Sequence, residues 1–125
     1  MVRQHPERLA PAHRMTSGRD YSAARQGGRA HRGTFCLLIS MPAAGEPTRV
    51  GFIASKKGVG GAVQRNRAKR RLREIIRRRW PRMPHQGYLL VFIASRATLR
   101  APHQLLASEV ESLLALAGAL APAVD

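Results

Sequence analysis

The chain has 125 residues and carries 22 Lys and Arg against 7 Asp and Glu, a formal charge of +15. That length suits one domain with a modest core and falls short of two well-buried ones. Nineteen of the 22 cations are arginine, whose planar fork grips phosphate at two points, so the composition points to a polyanionic partner. The longest apolar runs, 35–39 and 88–94, have strand length, so no transmembrane span is expected. No apolar signal region stands in the first fourteen residues. With one cysteine, Cys36, no internal disulfide can form, and a buried thiol in the cytoplasm is the expectation.

Residues 1–13 mix Arg, His, Pro and Ala without period and read as a disordered basic arm. Structure is expected from Arg14 and Met15 onward. Ser17 with Asp20 suggests a variant capping box opening a short helix to about Gln26, stopped by Gly27 and Gly28. Residues 28–34 are basic, with room for a very short edge strand. Residues 35–41 read as a strand, and Pro42 to Pro47 as a turn-rich connection. Arg49 to Ser55 reads as another strand.

Residues 65–79 form the most informative stretch. Nine of the fifteen are basic and one, Glu74, is acidic. At 100° per residue, Ala68, Leu72, Ile75 and Ile76 fall on one stripe. Asn66, Arg67, Arg70, Arg73 and Arg77 lie opposite, with Lys69, Arg71 and Arg78 on the flanks. This predicts a helix docked on a core by a narrow apolar face, holding a rigid row of cations outward. Phosphates spaced along a nucleic-acid backbone suit such a row. A merely solvated face would mix signs, and this one does not. A membrane-surface helix would need bulkier apolar residues facing lipid.

Trp80 and Pro81 end that helix, with Trp80 read as a packing residue. Residues 87–94 are the most apolar strand and so the expected centre of the sheet. Arg96 and Arg100 fall in a predicted loop. Beyond Pro102, Leu106, Val110, Leu113, Ala117 and Leu120 mark the core face of a last helix. The sum is a small single-domain α+β sandwich, three or four strands with helices, in the order αβ(β)βαβα. The domain is expected to span 14–121, with 122–125 a tail.

The run Ser55-Lys56-Lys57, then Gly60-Gly61-Ala62-Val63-Gln64-Arg65-Asn66-Arg67-Ala68-Lys69-Arg70-Arg71-Leu72-Arg73-Glu74, resembles the signature of the bacterial ribonuclease P protein component family. The Gly-rich loop looks one residue longer than the family pattern, at Gly58. Arg14-Met15 and Asp20-Tyr21 resemble the family's pairs on its first helix, whereas Arg25 stands where many relatives have a second aromatic. The resemblance implies a protein that helps a catalytic RNA remove the 5′ leader of precursor tRNA. It also implies a left-handed βαβ crossover, where the residues alone favour the right-handed connection. On that basis Arg65, Asn66, Arg67, Lys69, Arg70 and Arg73 are expected to dock on the catalytic RNA. Tyr21, Arg25 and Phe35 are expected in a leader cleft between the first helix and the sheet, with Lys56 and Lys57 at its rim. Phe35 and Tyr21 each have a core reading of equal weight.

Protein-based RNA cleavage needs clustered carboxylates for metal ions, or paired histidines. Asp20, Glu46, Glu74, Glu109 and Glu111 are scattered in sequence. His5, His13, His31, His85 and His103 all fall in predicted loops, without metal-ligand spacing to Cys36. No catalytic residue and no protein-held metal are therefore expected, and the resemblance implies Mg2+ bound mainly through the RNA subunit. The expected partners are that RNA and precursor tRNA, with no membrane and no small-molecule substrate. A structural RNA-binding protein and a self-sufficient nuclease are the alternatives, the second opposed by the scattered acids.

Overall fold

Ser17 opens the first helix, α1 (Gly18–Gly27), its hydroxyl accepting the Arg19 amide at 3.1 Å. Asp20 does not complete a capping box. It turns instead to Arg49, whose Nε donates to it at 2.7 Å. The computed structural model describes residues 9–121. After α1 come β1 (Arg29–Arg32), β2 (Cys36–Pro47), β3 (Arg49–Ile53), α2 (Ala62–Arg79), β4 (Gln86–Ala94), α3 (Arg96–Arg100) and α4 (His103–Leu116). Short 3-10 turns cover Pro11–His13 and Trp80–Arg82.

The sheet order is β1-β2-β4-β3, antiparallel except for the parallel pair β3 and β4. The most apolar strand, β4, is thus interior, as its run of buried residues requires. The chain moves from β2 to β3 over the start of β4, where the Thr48 amide donates to the His85 carbonyl at 3.0 Å. Helix α2 then makes the crossover that returns the chain to β4 parallel to β3.

Two apolar layers result, one on each sheet face. On one face Leu38, Leu90 and Phe92 meet Ala68, Leu72, Ile75 and Ile76 of α2 and Leu106, Val110 and Leu114 of α4, each with no exposure. Burying a Leu or Ile side chain contributes about 1.5–3 kcal/mol, and this stripe is what docks a helix otherwise made of cations. On the other face Met15 and Ala24 cover Ile39, Leu89 and Val91, with Tyr21 beside them.

Several expectations are corrected. Residues 9–13 belong to the fold: Leu9 is buried in the α2-side core and the His13 ring bonds the Thr48 carbonyl at 2.7 Å. The rest of the predicted arm, 1–8, and the tail 122–125 lie outside the described residues. Residues 42–47 continue β2 instead of turning away, with a register shift between Ala43 and Pro47. Neighbouring β1 ends opposite Ser40, so Pro42 sits where one side of β2 is open and costs no ladder bond on that side. The last helix stops at Leu116, because Gly118 adopts φ +76 and the Gly118 amide turns back to Ala115. Ala117 and Leu120 therefore lie past the helix whose stripe they continued. Arg96 and Arg100 belong to a short helix where local pattern predicts a loop, and His31 belongs to β1, bonded to Ser40 Oγ at 3.0 Å. His103 opens α4 and His13 closes the Pro11–His13 turn.

Candidate nucleic-acid interface

The α2 helix presents its cations in three environments. Arg77 and Arg78 both turn to Glu74, and Arg79 donates to Glu111 at 2.8 Å. Arg71 lies against α3, donating to the carbonyls of Thr98, Leu99 and Ala101. Its charge is therefore not left in water on the flank as the periodicity suggested. Among the described residues, Arg67, Lys69 and Arg70 have no carboxylate within ion-pair distance. Arg67, Arg70, Arg73 and Asn66 are exposed and Lys69 is half-buried.

Arg65 departs from that row. It is half-buried at the edge of the apolar stripe, and its Nε is enclosed without a hydrogen-bond partner among the described residues. The reason is its phase: Arg65 is three and seven residues before Ala68 and Leu72, which puts it on their side of the helix.

A cleft of about 710 Å3 runs between α1 and α2. Its floor is Val50, Gly51 and Phe52 of edge strand β3. One wall is Arg14, Met15, Thr16 and Tyr21, and the other is Lys69, Arg70, Arg73, Glu74 and Arg77. The Tyr21 hydroxyl donates to the Met15 carbonyl at 3.2 Å and accepts the Phe52 amide at 3.3 Å. Gly51 makes this possible: a Cβ there would come within 2.5 Å of the Tyr21 hydroxyl. The Arg73 guanidinium lies 5.4 Å above the Phe52 ring centroid, a cation–π contact that leaves its outer N–H groups free to bond. The cleft thus offers one amphipathic phenol and several guanidinium forks, a set that fits a nucleobase and its phosphate, while the Phe52 ring packs against Arg73 and Phe92.

Beside Tyr21 the sheet offers a second surface. Arg32, Leu37, Ile93 and Ile53 are register partners, one from each strand. Leu37, Ile93 and Ile53 are half-buried on the α1 face, and Arg32 is exposed. Sequence reasoning missed this row, and Phe52 with it, because register between distant strands is not written in local pattern. The signal available was the apolar content of β2 and β4 on both faces.

Other predicted site residues lie elsewhere. Lys56 and Lys57 are exposed in the loop before α2 and do not line the cleft. Arg25 is exposed on the last turn of α1, also outside it. Phe35 packs against the α2-side core, and its carbonyl accepts Thr98 Oγ1 at 2.6 Å and Ser95 Oγ at 3.1 Å. It precedes the first paired residue of β2, in a turn where the Glu109 carboxylate gathers the amides of Thr34, Phe35 and Cys36 at 2.5, 2.8 and 3.0 Å. Strand alternation consequently does not govern which way Phe35 points. Burial and the same carboxylate push the Cys36 thiol up to about 12, so it stays protonated and unreactive.

Among the described residues no group of three His, Cys, Asp or Glu is placed to hold a metal, and no helix is long and apolar enough to cross a membrane. A small α+β domain with a cationic helix beside a cleft has the character of a nucleic-acid-binding protein. The ribonuclease P family model matches residues 9–118, and the chain belongs to that family as a protein component. It is 56% identical over 77 residues to the ribonuclease P protein component of Symbiobacterium thermophilum, covering 62% of this chain and 65% of that protein. The corresponding component of Chloroflexus aurantiacus is 39% identical over 104 residues, covering 82% of this chain and 76% of that one. Its fold is similar to that of the Staphylococcus aureus RNase P protein, with TM-score 0.75 at 21% identity over 87% of this chain and 98% of that one. The Thermotoga maritima RNase P protein matches with TM-score 0.69 at 24% identity over 81% and 94%.

Proposed function

We propose that this chain serves ribonuclease P in tRNA 5′ processing by holding two RNAs on one helix. The catalytic RNA docks on the outward cations of α2, chiefly Arg67 and Arg70 with Asn66, while Lys56, Lys57 and Arg65 add charge at the helix start. The single-stranded 5′ leader of precursor tRNA lies in the cleft of Tyr21, Phe52 and Arg73, then crosses the half-exposed row Ile53, Ile93, Leu37 and Arg32. The observation that carries this reading is the cleft itself: Lys69, Arg70 and Arg73 line the same trough as Tyr21. One rigid helix therefore fixes the leader relative to the RNA that cuts it, and such fixed geometry lowers the entropic part of the barrier.

Chemistry belongs to the RNA in this scheme. Among the described residues no group of three His, Cys, Asp or Glu is placed to hold a metal, and Mg2+ bound mainly through the RNA subunit would supply the activation of water and of the leaving oxygen. The chain's own residues bind, orient and neutralise charge. The working domain is 9–121, acting in the cytoplasm on nucleic-acid partners alone. Cleavage of a precursor tRNA by the cognate RNA, at low Mg2+ with and without the protein, tests this. Faster cleavage and a mature 5′ end with protein present are expected. Cleavage by the protein alone, or no effect on the RNA, would overturn it.

A further inference from the structure

Helix α3 is five residues long, too short to persist by itself, yet it is fixed at both ends. At its start Ser95 and Thr98 form a capping box, and both hydroxyls donate to the Phe35 carbonyl. At its end the carbonyls of Thr98, Leu99 and Ala101, which a short helix leaves without intrahelical donors, accept the Arg71 guanidinium at 2.6, 3.1 and 2.6 Å. Thr98 and Ala101 are buried by this arrangement. The two remaining long side chains, Arg96 and Arg100, are four apart and so share one face, and both are exposed. On α2 the residue one turn before Arg71, on the same side, is Arg67, also exposed.

Among the described residues no acid is paired with this face. Glu109 is occupied by three backbone amides, and Glu111 by Arg79 and Arg82. Among the described residues neither Arg96 nor Arg100 takes part in an ion pair. We infer that α3 is a second phosphate-binding platform, continuous with the Arg67 side of α2, and that Arg71 is the positioning residue that locks the two together for the catalytic RNA. This rests on the reading of α2 as the RNA-docking helix.

The test is the salt dependence of binding to the catalytic RNA, measured between 50 and 200 mM monovalent salt for full-length variants. Each phosphate contact contributes about 0.7 to 0.9 to the slope of log affinity on log salt. Arg96→Gln with Arg100→Gln should lower the slope magnitude by about 1.4 to 1.8. The loss of affinity across that fourfold salt range then shrinks by about 7- to 12-fold. A control pair, Arg19→Gln with Arg29→Gln, removes the same charge from α1 and β1 and should leave the slope nearly unchanged. Arg71→Lys keeps the charge but loses the three-carbonyl fork. It should lower the slope in the native background and have no further effect once Arg96 and Arg100 are gone, a coupling that a general loss of stability would not produce. An unchanged slope in the Arg96/Arg100 variant, or an equal fall in the control pair, overturns the platform. A wild-type protein that fails to bind the RNA overturns the docking reading instead.

Discussion

The Arg73 guanidinium stands over the Phe52 ring, 5.4 Å from its centroid, tying the cationic helix α2 to the floor of the cleft on β3. Phe52 is in turn stacked on Phe92, with centroids 6.0 Å apart and planes within 16°. Phe52→Leu keeps apolar volume but removes the π face, and a partly exposed cation–π contact contributes about 0.5–1 kcal/mol. Affinity of the holoenzyme for long-leader precursor tRNA should fall about two- to fivefold by that measure. Titration of a labelled precursor tRNA measures it, and an unchanged affinity would mean that Arg73 needs no support from the ring.

Position on α2 separates folding from binding. Leu72 is completely buried and Arg70 is exposed. Leu72→Ala should cost roughly 2 to 5 kcal/mol of stability by opening a cavity, whereas Arg70→Ala should leave the denaturation midpoint nearly unchanged and weaken RNA binding. Urea titrations followed by circular dichroism, beside RNA titrations, decide this. The reverse pattern would place the wrong face of α2 in the core.

The Glu109 carboxylate makes a specific prediction for stability. Glu109→Gln replaces a charged acceptor of three amides by a neutral one. Hydrogen bonds to charged groups contribute about 1.5–3 kcal/mol, so a loss near the lower end of that range is expected in urea titrations. No change in midpoint would show that the turn at 33–35 holds itself.

Cys36 predicts an alkaline limb. Its folded pKa is raised from 9.0 to about 12 by burial and by Glu109. The unfolded thiol loses its proton first, so the stabilising contribution is whole below pH 9 and is lost as pH rises toward 12. Lys and Tyr titrate in the same window, so the measurement is a difference. Stability should fall more steeply between pH 9 and 11 for the native chain than for Cys36→Ala. Parallel curves would contradict a protonated, buried thiol.

The chemistry of α2 was legible because one periodicity set both its faces: the four residues of the apolar stripe are all completely buried. The interior place of β4 was legible from its apolar run, and Ser17 from its capping chemistry. What stayed hidden depended on contacts between segments distant in sequence. Arg71 looks like any flanking cation until α3 is brought beside it, 27 to 30 residues away. Phe52 looks like a core residue because edge position is a property of strand order. Phe35 carried both a cleft and a core reading, and only tertiary packing puts it against the α2-side core. Pro42 and Pro47 read as a turn because local propensity carries no knowledge of an open strand side.

If the cleft beside α2 holds the 5′ leader, holoenzyme affinity must depend on leader length through Tyr21. Holoenzyme affinity would be measured for two precursor tRNAs, one with a leader long enough to reach Tyr21 and one with a single-nucleotide leader, using native protein and Tyr21→Ala. A stacked base contributes about 1 to 3 kcal/mol, so the variant should lose roughly 5- to 150-fold on the long leader by that figure. Any weakening of the fold from the lost Met15 and Phe52 hydrogen bonds would fall on both substrates alike and show in a thermal melt, so the ratio of the two affinities isolates the leader contact. The native preference for the long leader should collapse in Tyr21→Ala while the short-leader substrate binds as before. Equal losses on both substrates would contradict it.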